Sequence, residues 1–156
     1  MPFGRHFRVK KAPTADQGSK TPIPQLMPLM QALTETTQMT DAKAFVAWLD
    51  QQASVAKNKK IGTQGYCMGG PLVYRTAAVA ADRVGAAATF HGGGLVTNTP
   101  ASPHLLIPKI KAKSMFAVAM NDDEKQPDAK DVLKKAFADA KNPANVEVYQ
   151  ALQTGV

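Results

Sequence analysis

Cysteine, histidine and aromatic residues are scarce in this sequence. It contains one cysteine, Cys67, and three histidines, and aromatic side chains account for 6% of its 156 residues. A single cysteine excludes an internal disulfide and suits a reducing compartment, so we expect a cytoplasmic location. One cysteine and three scattered histidines also cannot supply the ligands of a usual structural zinc site.

Long hydrophobic runs and strong charge clusters are missing as well. No stretch approaches the roughly 20 apolar residues that a membrane-spanning helix needs, and the N-terminal residues lack the apolar segment of a signal peptide. The net charge is +7, from 19 basic and 12 acidic residues, but the basic residues are dispersed and aromatic side chains do not interleave with them. We therefore predict ordinary surface lysines, with neither a membrane nor a nucleic acid as partner.

The organisation of the chain changes near residue 40. Residues 1–40 contain five prolines and are predicted to be an irregular segment, with a short helix between residues 26 and 33. Residues 41–150 alternate between strand and helix patterns and are predicted to form the βα core of a single partial domain spanning residues 1–156. The first helix of this core is predicted to be capped by Thr40 or Asp41. Its predicted apolar face consists of Ala44, Phe45, Trp48 and Leu49.

Four segments are predicted to be strands. Val84–Phe90 and Lys113–Ala119 are short apolar runs, Lys60–Cys67 reads as a strand that ends in a turn, and Asn145–Tyr149 reads as a last strand. Helical patterns occupy residues 68–79 and 127–141. Strands that alternate with helices form a mostly parallel sheet with helices on its faces, so the predicted fold class is α/β. The run from Ala86 to Phe90 has no polar alternation, which predicts a strand buried on both faces.

A nucleophile-type motif occupies the junction between the first strand and the next helix. Residues 65–70 read Gly-Tyr-Cys-Met-Gly-Gly, with a glycine two positions before and two positions after the cysteine. The pattern places Cys67 on a sharp turn, where Gly65 and Gly69 are predicted to avoid steric crowding. The N–H of Met68 is predicted to bind an oxyanion. On the residues alone, the alternative is that Cys67 is a small buried core residue.

Four segments resemble the dienelactone hydrolase family, a group of α/β-hydrolases with a cysteine nucleophile. They are Gly62–Pro71, Phe90–Leu95, Asn121–Lys130 and Val146–Tyr149, and they follow the family's order and spacing over residues 40–150. The resemblance implies a partial α/β-hydrolase fold and hydrolysis of ester or lactone bonds in small molecules, without cofactor or metal. It makes Cys67 the nucleophile and Asp123 the acid that orients a catalytic histidine, with Asp122 as the nearest competitor.

The catalytic histidine of the family has no counterpart at its expected position. In this fold the chain order is nucleophile, acid, histidine, but His6, His91 and His104 all precede Asp123, and Gln153 occupies the histidine's place. The family's earlier strands are missing too, so the sequence is predicted to be truncated at both ends. His91 follows the strand beside the nucleophile strand, which makes it a candidate pocket residue.

Two functions stay open at this point. The first is a thiol hydrolase of small esters or lactones, and the second is a catalytically inactive family member that binds a ligand or a partner. The family's carboxylate-binding arginine corresponds most closely to Arg8 or Arg5. Without the family's earlier strands beside it, the first strand would be an exposed edge of the sheet. Self-association through that edge is therefore predicted.

Overall fold

Four parallel strands form the centre of the fold. The computed structural model describes residues 27–28 and 30–150. The strands are β1 (Ile61–Tyr66), β2 (Val84–Phe90), β3 (Lys113–Ala119) and β4 (Asn145–Tyr149). Each strand pairs in parallel with its sequence neighbour, which gives the sheet order β1-β2-β3-β4. The α/β fold class and the four predicted strand positions are confirmed.

Helices connect the strands and pack against them. They are α1 (Glu35–Gln51), α2 (Gly70–Val79), α3 (Met120–Lys125) and α4 (Ala129–Asp139), with 3-10 helices at Cys67–Gly69 and Pro103–Lys109. Pro71 lies in the first turn of α2, where the missing proline N–H costs no helical hydrogen bond. In the part of the chain that the structure describes, no helix is both long and apolar enough to cross a membrane.

The helix α1 begins earlier than the sequence pattern predicts. Its N-cap is Thr34, whose hydroxyl accepts a hydrogen bond from the Thr37 N–H at 3.3 Å. This bond satisfies one of the first N–H groups of the helix, which have no partner within it. The predicted cap at Thr40 or Asp41 is therefore wrong, and the helical core starts before residue 41.

The predicted apolar face of α1 is only partly buried. Phe45 and Trp48 are both exposed, whereas the one fully buried residue of the helix is Ala42. The apolar pattern identifies the helix correctly, but the described residues place no element over the two aromatic rings.

A cluster of three aromatic rings holds the helices on the sheet. The Tyr74 ring centroid of α2 lies 5.0 Å from that of Phe116 in β3 and 6.2 Å from that of Phe137 in α4, and the last two are 5.5 Å apart. All three side chains are buried. Burial raises the pKa of the Tyr74 phenol well above its usual value, because the phenolate would lose its hydration. The cluster fixes α2, which begins at Gly70, directly after the 3-10 turn that contains Cys67.

The strand β2 is buried on one face only. Ala87 and Thr89 are buried, but Ala86 on the opposite face is exposed, and Phe90 is only half-buried. The prediction of a strand buried on both faces is therefore wrong for this strand. The small apolar run indicated burial, yet within the described residues only one face of β2 carries packed helices.

The strands end together at one edge of the sheet. Tyr66 pairs with Phe90, and Phe90 pairs with Ala117 in the next strand. The residues that follow β1, β2 and β3 therefore leave the sheet side by side. In open α/β sheets, ligands bind outside this carboxyl edge.

Candidate active site

Cys67 lies at a sharp junction between β1 and the helix that follows. Tyr66 has extended backbone angles (φ −120°, ψ 145°), whereas Cys67 has a φ of 51°. This left-handed conformation is unfavourable for a residue with a side chain and persists where the surroundings impose it, often at functional sites. The Cys67 side chain is exposed, so the alternative of a buried core cysteine is wrong.

Gly65 is required at this junction for a steric reason. A Cβ placed on Gly65 would lie 2.5 Å from the carbonyl oxygen of Gly69 and 2.8 Å from a methyl group of Val73. At Gly69 a Cβ would meet no atom within 4 Å, and its φ of −73° is open to any residue. The predicted crowding is therefore present at Gly65 and absent at Gly69, because the α-carbon of Gly65 faces the Gly69 backbone while the α-carbon of Gly69 faces open space.

A second pair of glycines brings α2 against the loop after β2. A Cβ placed on Gly70 would lie 3.0 Å from the α-carbon of Gly92 and 3.1 Å from a methyl carbon of Leu95. The backbone of the first α2 residue thus packs directly on the next loop of the carboxyl edge. This contact ties the turn at Cys67 to the loop that follows His91.

His91 occupies the position after β2 that corresponds to Cys67 after β1. The pairing of Tyr66 with Phe90 sets the two residues side by side in the register, and His91 also has a left-handed backbone, with φ 40°. Its N–H donates to the Ala117 carbonyl at 2.8 Å. Its Nδ1 atom is buried without a hydrogen-bond partner, and the described structure shows no hydrogen bond between His91 and Cys67.

Asp123 lies on α3, the short helix that follows β3, and is held by a lysine. Its Oδ1 and Oδ2 atoms accept hydrogen bonds from the Lys130 Nζ atom at 2.8 and 3.0 Å. The Asp123 and Lys130 side chains are 22% and 27% exposed, so the pair is mostly shielded from solvent. The hydrogen bond to Asp123 raises the pKa of Lys130. This pairing was not among the sequence predictions, and Lys130 at the start of α4 carries no motif that signals it.

A cavity of about 200 Å³ lies beside this ion pair. It is lined by the 92–94 glycine run, by Val118 and by both Asp122 and Asp123 among others, but not by Cys67. One carboxylate oxygen of Asp122 is buried without a partner. The structure thus brings the two candidate acids to one cavity at the carboxyl edge and leaves Cys67 outside its walls.

The remaining histidines do not complete a triad in the described structure. The Nδ1 atom of His104 lies 2.6 Å from the Ser102 hydroxyl, which accepts a hydrogen bond from the Thr97 N–H at 2.8 Å. This contact fixes the loop before the second 3-10 helix. His6, Arg5, Arg8 and Gln153 lie outside the described residues. No described histidine bonds to Asp123.

The described residues offer no obvious metal centre. A group of three or more histidine, cysteine, aspartate or glutamate side chains that could hold an ion is not found among residues 27–28 and 30–150. Among the described residues that line the cavity, the acidic side chains are those of Asp122 and Asp123, and Asp123 is bound to Lys130.

The parallel sheet with helices packed on it has the α/β architecture of the α/β-hydrolase fold. A sequence model of the dienelactone hydrolase family matches residues 8–153. The chain therefore belongs to the dienelactone hydrolase family. The resemblance found over residues 40–150 is confirmed, and the match extends further towards the N-terminus. No curated protein matches the sequence.

Two solved structures show the same fold over most of this chain. The structure named m3DLH is 22% identical with a TM-score of 0.67, and the match covers 85% of this chain and 53% of that one. A Klebsiella pneumoniae protein assigned as a dienelactone hydrolase is 19% identical with a TM-score of 0.70, covering 94% of this chain and 59% of that one. The chain thus spans little more than half the length of these two proteins.

Proposed function

We propose that this chain is a thiol hydrolase of ester or lactone bonds in small molecules, with Cys67 as the nucleophile. The observation that carries the proposal is the exposed cysteine with a left-handed backbone at the strand-to-helix junction. Family membership supports it, as does the close approach of Gly65 to Gly69, which a nucleophile elbow requires.

The proposed reaction proceeds through a thioester. The Cys67 thiolate attacks the substrate carbonyl carbon and forms a C–S bond, while the carbonyl electrons move to oxygen. The Met68 N–H is proposed to donate to this oxyanion. Collapse of the intermediate breaks the C–O bond, and the alcohol leaves with the proton that the thiol gave up. Water then hydrolyses the thioester, which releases the acid and restores the thiol.

Ester hydrolysis by a cysteine variant tests this proposal. We expect wild type to turn over p-nitrophenyl acetate or an enol-lactone, and Cys67→Ala to lose at least about 100-fold in rate. The matched control Ser54→Ala removes a similarly small polar group from an exposed turn and should keep the wild-type rate. An unchanged rate in Cys67→Ala would overturn the proposal.

A second candidate is a family member that is acylated but does not turn over. It is favoured by the Lys130 contact, which occupies both Asp123 oxygens, and by Gln153 at the histidine's place in the sequence. The same assay separates the two candidates. Release of one equivalent of p-nitrophenol followed by no further product indicates the inactive form, whereas sustained release indicates a hydrolase.

Three further expectations stay predictions. They are the single partial domain of residues 1–156, the cytoplasmic location, and self-association through the sheet edge at β1. Sedimentation at increasing protein concentration tests the last of these, and an edge that pairs with a second copy should give a concentration-dependent dimer.

A further inference from the structure

Exposed apolar side chains flank the proposed nucleophile on both sides. Tyr66 is 54% exposed and Met68 is 57% exposed, and Cys67 between them is exposed as well. A single exposed apolar residue is common, but adjacent large ones mark a binding surface more often. The chain segment that carries the sulfur therefore exposes apolar side chains suited to an apolar ligand.

The Tyr66 ring is supported from one side. Its centroid lies 5.0 Å from that of Phe90, and the two planes are inclined by 17°, which is a stacked arrangement. His91 packs against the same ring at 6.3 Å with an angle of 50°. Phe90 is also the strand partner of Tyr66, so both ends of the stack are fixed by the sheet. The exposed part of the tyrosine is thus a rigid planar surface.

We propose that Tyr66, backed by Phe90, is a stacking platform for a planar aromatic or unsaturated group of the substrate. Tyr66 directly precedes Cys67 in the sequence, so a role of the platform in catalysis rests on the proposed function. An offset aromatic pair contributes a factor of about 2 to 12 in affinity beyond simple burial. The thioether of Met68 on the other side of Cys67 also contacts aromatic ring edges favourably. The site therefore prefers aromatic over aliphatic groups of equal reactivity.

Two maleimides of different shape test this preference. Cys67 is the chain's only cysteine, so maleimide consumption reports on this thiol alone. The rate ratio of N-phenylmaleimide to N-ethylmaleimide is measured for the full chain and for N-acetylcysteine. We expect the ratio of the protein to exceed that of the free thiol by about threefold or more. An equal ratio would overturn the proposal without any variant.

Three variants assign the effect to the tyrosine. Tyr66→Leu keeps apolar bulk but removes the ring, and should return the ratio to that of N-acetylcysteine. Tyr66→Phe should keep the preference. The matched control Tyr149→Leu, at an exposed tyrosine at the end of β4, should also keep it. A Tyr66→Leu protein with the wild-type ratio would contradict the proposal.

The test is independent of hydrolysis, because maleimide addition needs only an accessible thiol. A preserved aromatic preference without ester turnover would overturn the proposed hydrolase function and support the platform as a ligand-binding site. Ester turnover that depends on Cys67, together with a maleimide rate ratio equal to that of the free thiol, would support the hydrolase function and overturn the platform proposal.

Discussion

Lys130 donates from its Nζ atom to both carboxylate oxygens of Asp123, at 2.8 and 3.0 Å, and to the carbonyl of Pro127 at 3.0 Å. All three ammonium donors are therefore used. The carboxylate is oriented and its charge is compensated without a histidine. This contact separates the candidate site from a complete triad of nucleophile, histidine and acid.

Replacing the lysine should destabilise the fold. Lys130→Met leaves a mostly shielded carboxylate without its donor, which is unfavourable. The exposed pair of Lys135 and Asp139, four residues apart on α4, is the matched control, because such pairs contribute little. We expect Lys130→Met to lower the midpoint of urea unfolding more than Lys135→Met does. Equal midpoints would show that the Asp123 contact has no structural role.

The contribution of this lysine should depend on pH in the alkaline range. The pKa of Lys130 is raised in the folded protein, chiefly by its hydrogen bond to Asp123. A group whose pKa is raised in the folded protein contributes its full stabilisation of the fold at pH values below its pKa in the unfolded chain, which is near 10.4 for lysine. This stabilisation is lost as the pH rises through the pKa in the folded protein.

Unfolding midpoints of wild type and Lys130→Met across a pH series measure this effect. Their difference should be constant from about pH 7 to 9 and should shrink above about pH 10.5. A difference that already shrinks near neutral pH would contradict the assignment to the lysine ammonium.

Two glycine substitutions should differ sharply although they lie four residues apart. Gly65→Ala forces a Cβ against the Gly69 carbonyl, and we expect a loss of about 1–3 kcal/mol or more in the free energy of unfolding. Gly69→Ala meets open space, and its effect should stay within about 0.5 kcal/mol. Urea unfolding of both variants measures these values, and a neutral Gly65→Ala would contradict the crowding.

The aromatic cluster should dominate the stability of the core. Phe137 is fully buried against Tyr74 and Phe116, and Phe137→Ala is expected to lower the free energy of unfolding by about 3–5 kcal/mol. On the same helix, Val132 is exposed, so the matched variant Val132→Ala should cost less than about 1 kcal/mol. Thermal or urea unfolding compares the two, and similar losses would show that the cluster is not the centre of the core.

The strands are the most predictable part of this fold. Two of them, β2 and β3, are short apolar runs bounded by charged residues or turn residues, and such runs are typical of buried strands. The start of α1 is not predictable in this way, because residues 35–40 carry three threonines and little apolar periodicity. Its position follows from the Thr34 cap, which is visible only once the backbone is known.

The candidate site is predictable around Cys67 and not around Asp123. The motif around Cys67 fixes a strand, a turn and a helix within a few residues, so local sequence suffices. The partner of Asp123 is set by how two helices meet after β3, because Asp123 lies on α3 and Lys130 on α4. Many charged side chains lie near enough in sequence to compete, and only tertiary geometry chooses among them.

The consecutive order of the strands affects how the sheet can assemble. Each described strand pairs with the one just before it in the chain, and none is inserted between two earlier strands. A growing chain could therefore add β2 to β1, β3 to β2 and β4 to β3 as each emerges from the ribosome, without reopening pairs already made. Each pair thus closes over a single crossover connection, which is the smallest sequence separation that a parallel sheet allows, and smaller separations favour faster folding.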